Sequence, residues 1–198
     1  MQVPKLKDIQ FVADGWIKKY VLTYDMPNGT EHSYEVASRK SPEAYRALLE
    51  ANAAGEPLAG ADAICIVART PRDSIVMIKE FRYPLNSWCI AFPAGLLEPG
   101  EDPIECADRE LREETGYAID RKAEVRMLPQ AGYSSTGMSD ETVQIVFVNA
   151  EYVEQPHTEP NELIEVFELP IADIRAFLDE NRLPIGTRAQ LVLEMLAR

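Results

Sequence analysis

Glu110, Glu113 and Glu114 stand at i, i+3 and i+4 inside the run of residues 109–117. On a helix these spacings make surface neighbours, and like charges so placed repel by a few tenths of a kcal/mol per pair (~0.2–0.5) even in water. Against a sheet the dielectric falls, so the repulsion grows and the carboxyl pKa values rise unless a cation compensates. A hard divalent ion, Mg²⁺ or Mn²⁺, is the natural compensator, because it takes oxygen ligands and brings phosphate groups with it. These residues therefore point to a divalent-metal site able to draw in a phosphate-bearing substrate. The competing reading is a solvated charged helix in which Arg109 and Glu113 pair at i,i+4 and Glu105 takes part.

The element that must carry these acids is well marked. Asp102 suits an N-cap, Pro103 the first helical position, and Glu105 completes a capping-box pattern with Asp102. Gly116 stops the run, so a helix is predicted over residues 103–115, with Ile104, Ala107 and Leu111 as its apolar face. Upstream, strands are predicted over residues 10–13, 16–24 and 32–38. Asn28-Gly29 is read as a two-residue hairpin turn, so opposed residues add to 57 and Tyr34 faces Thr23 rather than Trp16. Residues 42–54 read as a helix ending at Gly55, with no role assigned. Further strands are predicted over residues 63–69, 74–83, 88–92, 124–128, 142–149 and 163–169. Helices over 171–180 and 188–197 follow, the second opened by a Thr187/Gln190 capping pair. Strands and helices intermixed without a regular βαβ rhythm indicate an α+β domain, layered α/β/α around a mixed sheet. Trp88 is assigned to the core.

Gly95, Glu101, Arg109, Glu110, Leu111, Glu113, Glu114, Gly116 and Tyr117 match the pattern GX5EX7REUXEEXGU at every spacing. Seven of those positions demand one residue type; at roughly one in fifteen each, a chance match is about 10⁻⁸ per window. The chain thus resembles the Nudix hydrolases. Tyr117 stands where that family usually has a small aliphatic residue. The resemblance implies a Nudix fold and hydrolysis of a nucleoside diphosphate linked to another moiety. It implies that Glu110, Glu113 and Glu114 bind divalent metal with the backbone carbonyl of Ala94. Gly95, Glu101, Arg109 and Gly116 are then structural parts of the box, and Glu113 also counts as catalytic.

The flanks are similar to the ADP-ribose pyrophosphatase and nucleotide-sugar branch of that family. Residues 79–84 contain an E-F-R-x-P segment with Arg82, and Pro93-Ala94-Gly95 leads into the box. The resemblance implies that Trp16, Tyr34, Glu35 and Arg39 surround the nucleoside, with Arg82 and Leu96 also touching substrate. Aromatic faces suit a flat base, and the arginines offer forked donors to phosphate. Trp16 and Tyr34 as plain strand aromatics is the alternative. The catalytic base of that branch lies late in the chain; Glu162 matches its placement best, with Glu165 and Glu159 as reserves, and would take a proton from the attacking water. Residues 1–60, a β-hairpin with a helical insertion, would serve dimerisation and nucleotide binding, and 61–198 would be the hydrolase domain. Thr136 stands where ADP-ribose-cleaving relatives usually carry Pro, Ala91 replaces a frequent carboxylate, and 40–60 looks inserted. These departures bear on the terminal sugar more than on the chemistry. A nucleoside triphosphate or dinucleoside polyphosphate hydrolase would share the box, and a non-catalytic nucleotide sensor is a further reading, although every box carboxylate is present.

Composition narrows the rest. In 198 residues, 20 Lys plus Arg oppose 33 Asp plus Glu, a net charge of −13, which disfavours nucleic acid and anionic membranes as partners. No apolar run approaches the ~20 residues of a membrane span, and residues 1–11 lack a hydrophobic signal core. The expectation is a cytoplasmic homodimer acting on a small nucleotide sugar. Cys65, Cys89 and Cys106 form no CxxC pair and are expected to be reduced thiols in or near the core.

Overall fold

Residues 3–57 and 60–197 of a computed structural model are described, and they form two compact units. Residues 58 and 59 of the expected insertion lie outside them.

The first unit comprises Met1–Asp62 and Gln130–Val143. Its strands β1 (Lys5–Ala13), β2 (Lys18–Asp25) and β3 (Glu31–Ser38) make a three-stranded antiparallel sheet, one strand more than the hairpin. The β2–β3 register differs by one from the expectation, with Leu22 opposite Tyr34 and Thr23 opposite Ser33. Pro27 is the cause. Its fixed φ suits the second position of a type I turn, so the turn starts at Met26, whose carbonyl accepts from Gly29 N at 2.9 Å, and Gly29 follows at φ 82°. Trp16 precedes β2 rather than lying within it. Helix α1 (Pro42–Ala54) is capped by Ser41 and ended by Gly55 at φ 73°. It has a role after all: Tyr45 packs on Tyr20 and Leu22, with Leu48 and Leu49 alongside, and the Tyr20 and Tyr45 rings lie 4.6 Å apart.

The second unit comprises Ala63–Pro129 and Gln144–Arg198. It contains β4 (Ala63–Arg69), β5 (Ser74–Arg82), β6 (Ser87–Ala91), β7 (Ala94–Leu96), α2 (Pro103–Thr115), β8 (Tyr117–Ile119) and β9 (Arg126–Met127). The two-residue strand β10 (Gly132–Tyr133) belongs to the first unit, as do the first two residues of β11 (Thr142–Tyr152), with which it pairs. Then come β12 (Ile164–Pro170), α3 (Ile174–Glu180) and α4 (Thr187–Leu196). The sheet runs β11-β4-β5-β12, with β6 on β5, β7 on β4, and β8 and β9 on β11.

Strand β4 is buried from Ala63 to Ala68 without alternation, as a strand covered on both faces must be. Leu111, Ala107 and Cys106 of α2 pack against Ile64, Ile66, Ala68, Val76 and Val146, with Ile104 partly buried beside them. Val166 joins that cluster, whereas the next residue, Phe167, meets Phe177 of α3 at 6.0 Å. Neighbouring strand residues face opposite ways, so α2 and α3 cover opposite faces of β12, the expected α/β/α layering.

Local corrections are few. The strand expected over 124–128 shrinks to Arg126–Met127. Helix α4 starts at Thr187 with Gly186 as its cap and no side-chain capping bond. Asp102 caps α2 through Ile104 N and Glu105 N, but the Glu105 carboxylate goes to Arg121 instead of closing a capping box. Trp88 is half-buried, with Lys79 Nζ 4.6 Å from its ring centre; the lysine covers a face the core leaves open. All three cysteines are buried and free. Among the described residues no helix is long and apolar enough to cross a membrane.

Candidate active site

The site of the second unit is assembled around the start of β7 and one side of α2. Strand β7 pairs with central β4, setting Ala94 opposite Cys65 and Gly95 opposite Ile64, so the backbone that faces α2 is held by the core. Gly95 leaves room there for the Glu110 carboxyl, which a Cβ would displace. Gly116 is required by the backbone. It ends α2 at φ 77°, and a Cβ would come within 2.0 Å of Glu154 O.

Arg109 ties the loop before the helix to the helix itself. Its Nε and Nη2 make a fork on Glu101 at 2.9 and 3.0 Å, Nη1 reaches Glu110 at 2.7 Å and Glu113 at 3.3 Å, and Nη2 reaches Leu96 O at 3.3 Å. Glu101 also accepts from Glu98 N at 2.9 Å. Bonding to Arg109 holds the Glu101 carboxyl down at about 2 and raises the Arg109 pKa.

Glu114 is the group under most electrostatic stress. Only 6% exposed, its carboxylate accepts one bond, from Ala94 N at 3.0 Å. Burial pushes its pKa well up, and the negative charges of Glu110, Glu80 and Glu162 push the same way. Burial also raises Glu110, against the pull of Arg109. Glu113 is the more open member of the three, with its side chain 40% exposed. As placed, Glu110 and Glu113 turn to Arg109 and Glu114 to Ala94, and no three acidic, His or Cys side chains among the described residues converge on one point. The donor set is nonetheless all oxygen, and Glu114 faces the like charges of Glu110, Glu80 and Glu162 with a backbone N–H as its hydrogen-bond donor, which suits a hard divalent cation.

Of the late acids, Glu162 acts electrostatically on Glu80, Glu110 and Glu114. It sits in a turn with Glu159, giving its N–H to Glu159 O at 2.9 Å and accepting Glu159 N at 3.1 Å. Glu165 lies at odd parity on β12, paired with Lys79 at 2.8 Å, and Glu159 is exposed. Arg82, half exposed, is ion-paired with Glu80, Nη2 to Oε2 at 2.9 Å. Glu80 is the residue that sequence reasoning missed. A carboxylate two residues before an arginine in the strand after a buried apolar run was the available signal.

The remaining expected residues belong to the first unit. Trp16 is 74% exposed. The Tyr34 hydroxyl donates to Gly137 O at 2.9 Å, Glu35 pairs with Lys19 at 2.7 Å, and Arg39 pairs with Glu141. Ala37 N donates to Met138 O at 2.9 Å, so residues 134–141 are strapped along β3 within this unit. Arg39, Lys40, Asp62 and Asp140 line a small cavity of about 100 Å³.

The NUDIX domain profile matches residues 60–188. The chain belongs to the NUDIX family. It is 30% identical over 178 residues to an ADP-sugar pyrophosphatase of Mus musculus, covering 86% of this chain and 75% of that one. It is 31% identical over 192 residues to an ADP-ribose pyrophosphatase of Saccharomyces cerevisiae, covering 90% and 76%. A solved structure described as an ADP compounds hydrolase superposes with a TM-score of 0.73 at 20% identity, covering 99% of this chain and 93% of that one. The fold is therefore the Nudix fold, and the chain is a Nudix hydrolase.

Proposed function

We propose that this Nudix hydrolase cleaves the diphosphate of ADP-ribose or a related nucleoside diphosphate sugar, giving AMP and a sugar phosphate when the substrate is ADP-ribose. The observation that carries the reading is Glu114, a buried carboxylate facing three like charges, on the helix whose loop Arg109 pins. The names of the mouse and yeast relatives favour the ADP-ribose substrate.

Glu110, Glu113, Glu114 and the Ala94 carbonyl would hold Mg²⁺ or Mn²⁺. When bound, the ion supplies charge neutralisation for the diphosphate and Lewis-acid polarisation. Glu162 takes the proton of the attacking water as oxygen adds to phosphorus and the bridging P–O bond breaks. Arg82 steadies the anion with forked donors, while Leu96 packs against the substrate. Gly95, Glu101, Arg109 and Gly116 hold the frame. Trp16, Tyr34, Glu35 and Arg39 of the first unit surround the nucleoside.

Residues 1–60 serve dimerisation and nucleotide binding, with 61–198 as the hydrolase domain. The chain acts as a cytoplasmic homodimer, and β1 supports this: eight of its nine residues are exposed, and an exposed strand edge is a template for pairing. A solution mass equal to the monomer's 22.2 kDa would sink the dimer.

The test is phosphate-ester release from ADP-ribose, ADP-glucose, UDP-glucose, GDP-mannose, NADH, diadenosine polyphosphates and dNTPs with Mg²⁺, for the wild type and Glu114→Gln. ADP-ribose should lead and Glu114→Gln should abolish turnover. Preference for dNTPs would refute the substrate class, and full turnover by the variant would refute the metal set.

A further inference from the structure

Glu80 has a place in the site that the box does not account for. Its backbone is locked on both edges, opposite Cys89 on β6 and Ile164 on β12. Its side chain is 15% exposed, and burial raises its carboxyl pKa. The next residue on the same face of β5 is Arg82, whose Nη2 lies 2.9 Å from Glu80 Oε2 while its own side chain remains 49% exposed. The β5–β12 register continues past the strand through Phe81 N to Leu163 O at 3.0 Å, which brings residue 162 across from Arg82. Glu80 and Arg82 therefore share a face with Glu162 and Glu114, and each of those acids acts on Glu80 or feels it.

A glutamine of the same size would fill this position without a buried charge among like charges, but would give up the ion pair with Arg82. The carboxylate is thus a costly choice for packing alone. An arginine side chain loses much rotamer freedom when it docks a ligand, and an ion pair that restrains it beforehand removes part of that cost. We infer that Glu80 is a positioning residue that holds Arg82 aimed across the acid-rich face, leaving its other N–H donors to meet an incoming diphosphate. The inference rests on the reading of Arg82 as a diphosphate contact. Glu80 itself touches no substrate and acts only through Arg82.

The experiment is a double-mutant cycle of Glu80→Gln and Arg82→Ala, read as kcat and KM for ADP-ribose and as calorimetric binding of Mg²⁺-pyrophosphate. Glu80→Gln should raise KM and the pyrophosphate Kd about tenfold with kcat within threefold, the pattern of lost uniform binding. In the Arg82→Ala background it should do nothing further. The thermal midpoint of Glu80→Gln should equal or exceed that of the wild type, which separates positioning from a structural role. An unchanged or lowered KM and Kd in Glu80→Gln overturns the inference, as does an undiminished effect without Arg82. If ADP-ribose is not turned over, the functional reading fails while the pyrophosphate cycle still decides the role of Glu80.

Discussion

Glu114→Gln should make the metal-free protein more stable, although it removes a side chain central to the site. The wild-type carboxyl is 6% exposed, accepts one bond from Ala94 N and stands beside three like charges. A glutamine keeps the volume and an oxygen for Ala94 N, and sheds the charge. An inadequately compensated buried polar group costs about 1–3 kcal/mol, and more when charged. At ~2–4 °C per kcal/mol for a chain of this size, a gain on the order of 2 kcal/mol raises the midpoint by ~4–8 °C. The sign with pH follows from the raised folded pKa: the folded wild type binds the proton more tightly than the unfolded chain, so its stability falls as pH rises. The fall begins at the ordinary carboxylate pKa and ends once pH passes the raised folded value, so the advantage of the variant should be absent near pH 4 and fully open only above that value. Scanning calorimetry in EDTA across that range is the assay. Mg²⁺ should raise the midpoint of the wild type and leave the variant unmoved. A variant less stable than the wild type in EDTA at pH 8, or an advantage that ignores pH, refutes the account of Glu114 as a charge awaiting a cation.

Glu101→Gln should act in the opposite direction, losing about 1–2 kcal/mol at neutral pH because a fork to Arg109 is a strong but partly solvated pair. With the folded carboxyl held at about 2, that contribution is complete above the unfolded pKa and fades as pH falls toward 2, which denaturant titrations at pH 7 and pH 3 would resolve. Gly116→Ala must force φ 77° on a residue with a Cβ and press that atom toward Glu154 O; a loss of at least ~2 kcal/mol is expected, and a midpoint within 2 °C of the wild type would contradict the geometry. Leu111→Ala empties a fully buried position in the α2 cluster and should cost ~2–5 kcal/mol in urea unfolding, whereas a cost under ~1 kcal/mol would mean that the cluster collapses around the gap.

Helix α2 was legible because its signals are local: Asp102 accepts from the first free N–H groups, Pro103 tolerates the first turn and Gly116 takes the left-handed exit. The same holds for the acids at i, i+3 and i+4, whose shared face follows from helix pitch alone. The hairpin register was misread because two turn preferences competed over four residues, and Pro27 prevailed over Asn28-Gly29. Glu80 shows its spacing from Arg82 in the sequence, but its place in the site is non-local. Its neighbours Glu114 and Glu162 come from elements 34 and 82 residues further along the chain, so nothing in its own strand announces them. The strap of 134–141 along β3 is equally non-local, resting on Tyr34 to Gly137 and Ala37 to Met138.

The charge balance of the second unit constrains how such a site can work. Glu80, Glu101, Glu110, Glu113, Glu114 and Glu162 outnumber the arginines paired with them, Arg82 and Arg109, each of which is already engaged by carboxylates. A diphosphate approaching this face meets a surplus of its own sign within a Debye length of ~8–10 Å. Cations must therefore enter before the substrate or with it. Binding of the two is then linked, and linkage is reciprocal: whatever factor the cation adds to substrate affinity, the substrate adds to cation affinity. The stability that buried carboxylates forfeit in the metal-free chain is the other side of that coupling, since a cation that relieves Glu114 stabilises the fold by the same interaction that admits the diphosphate.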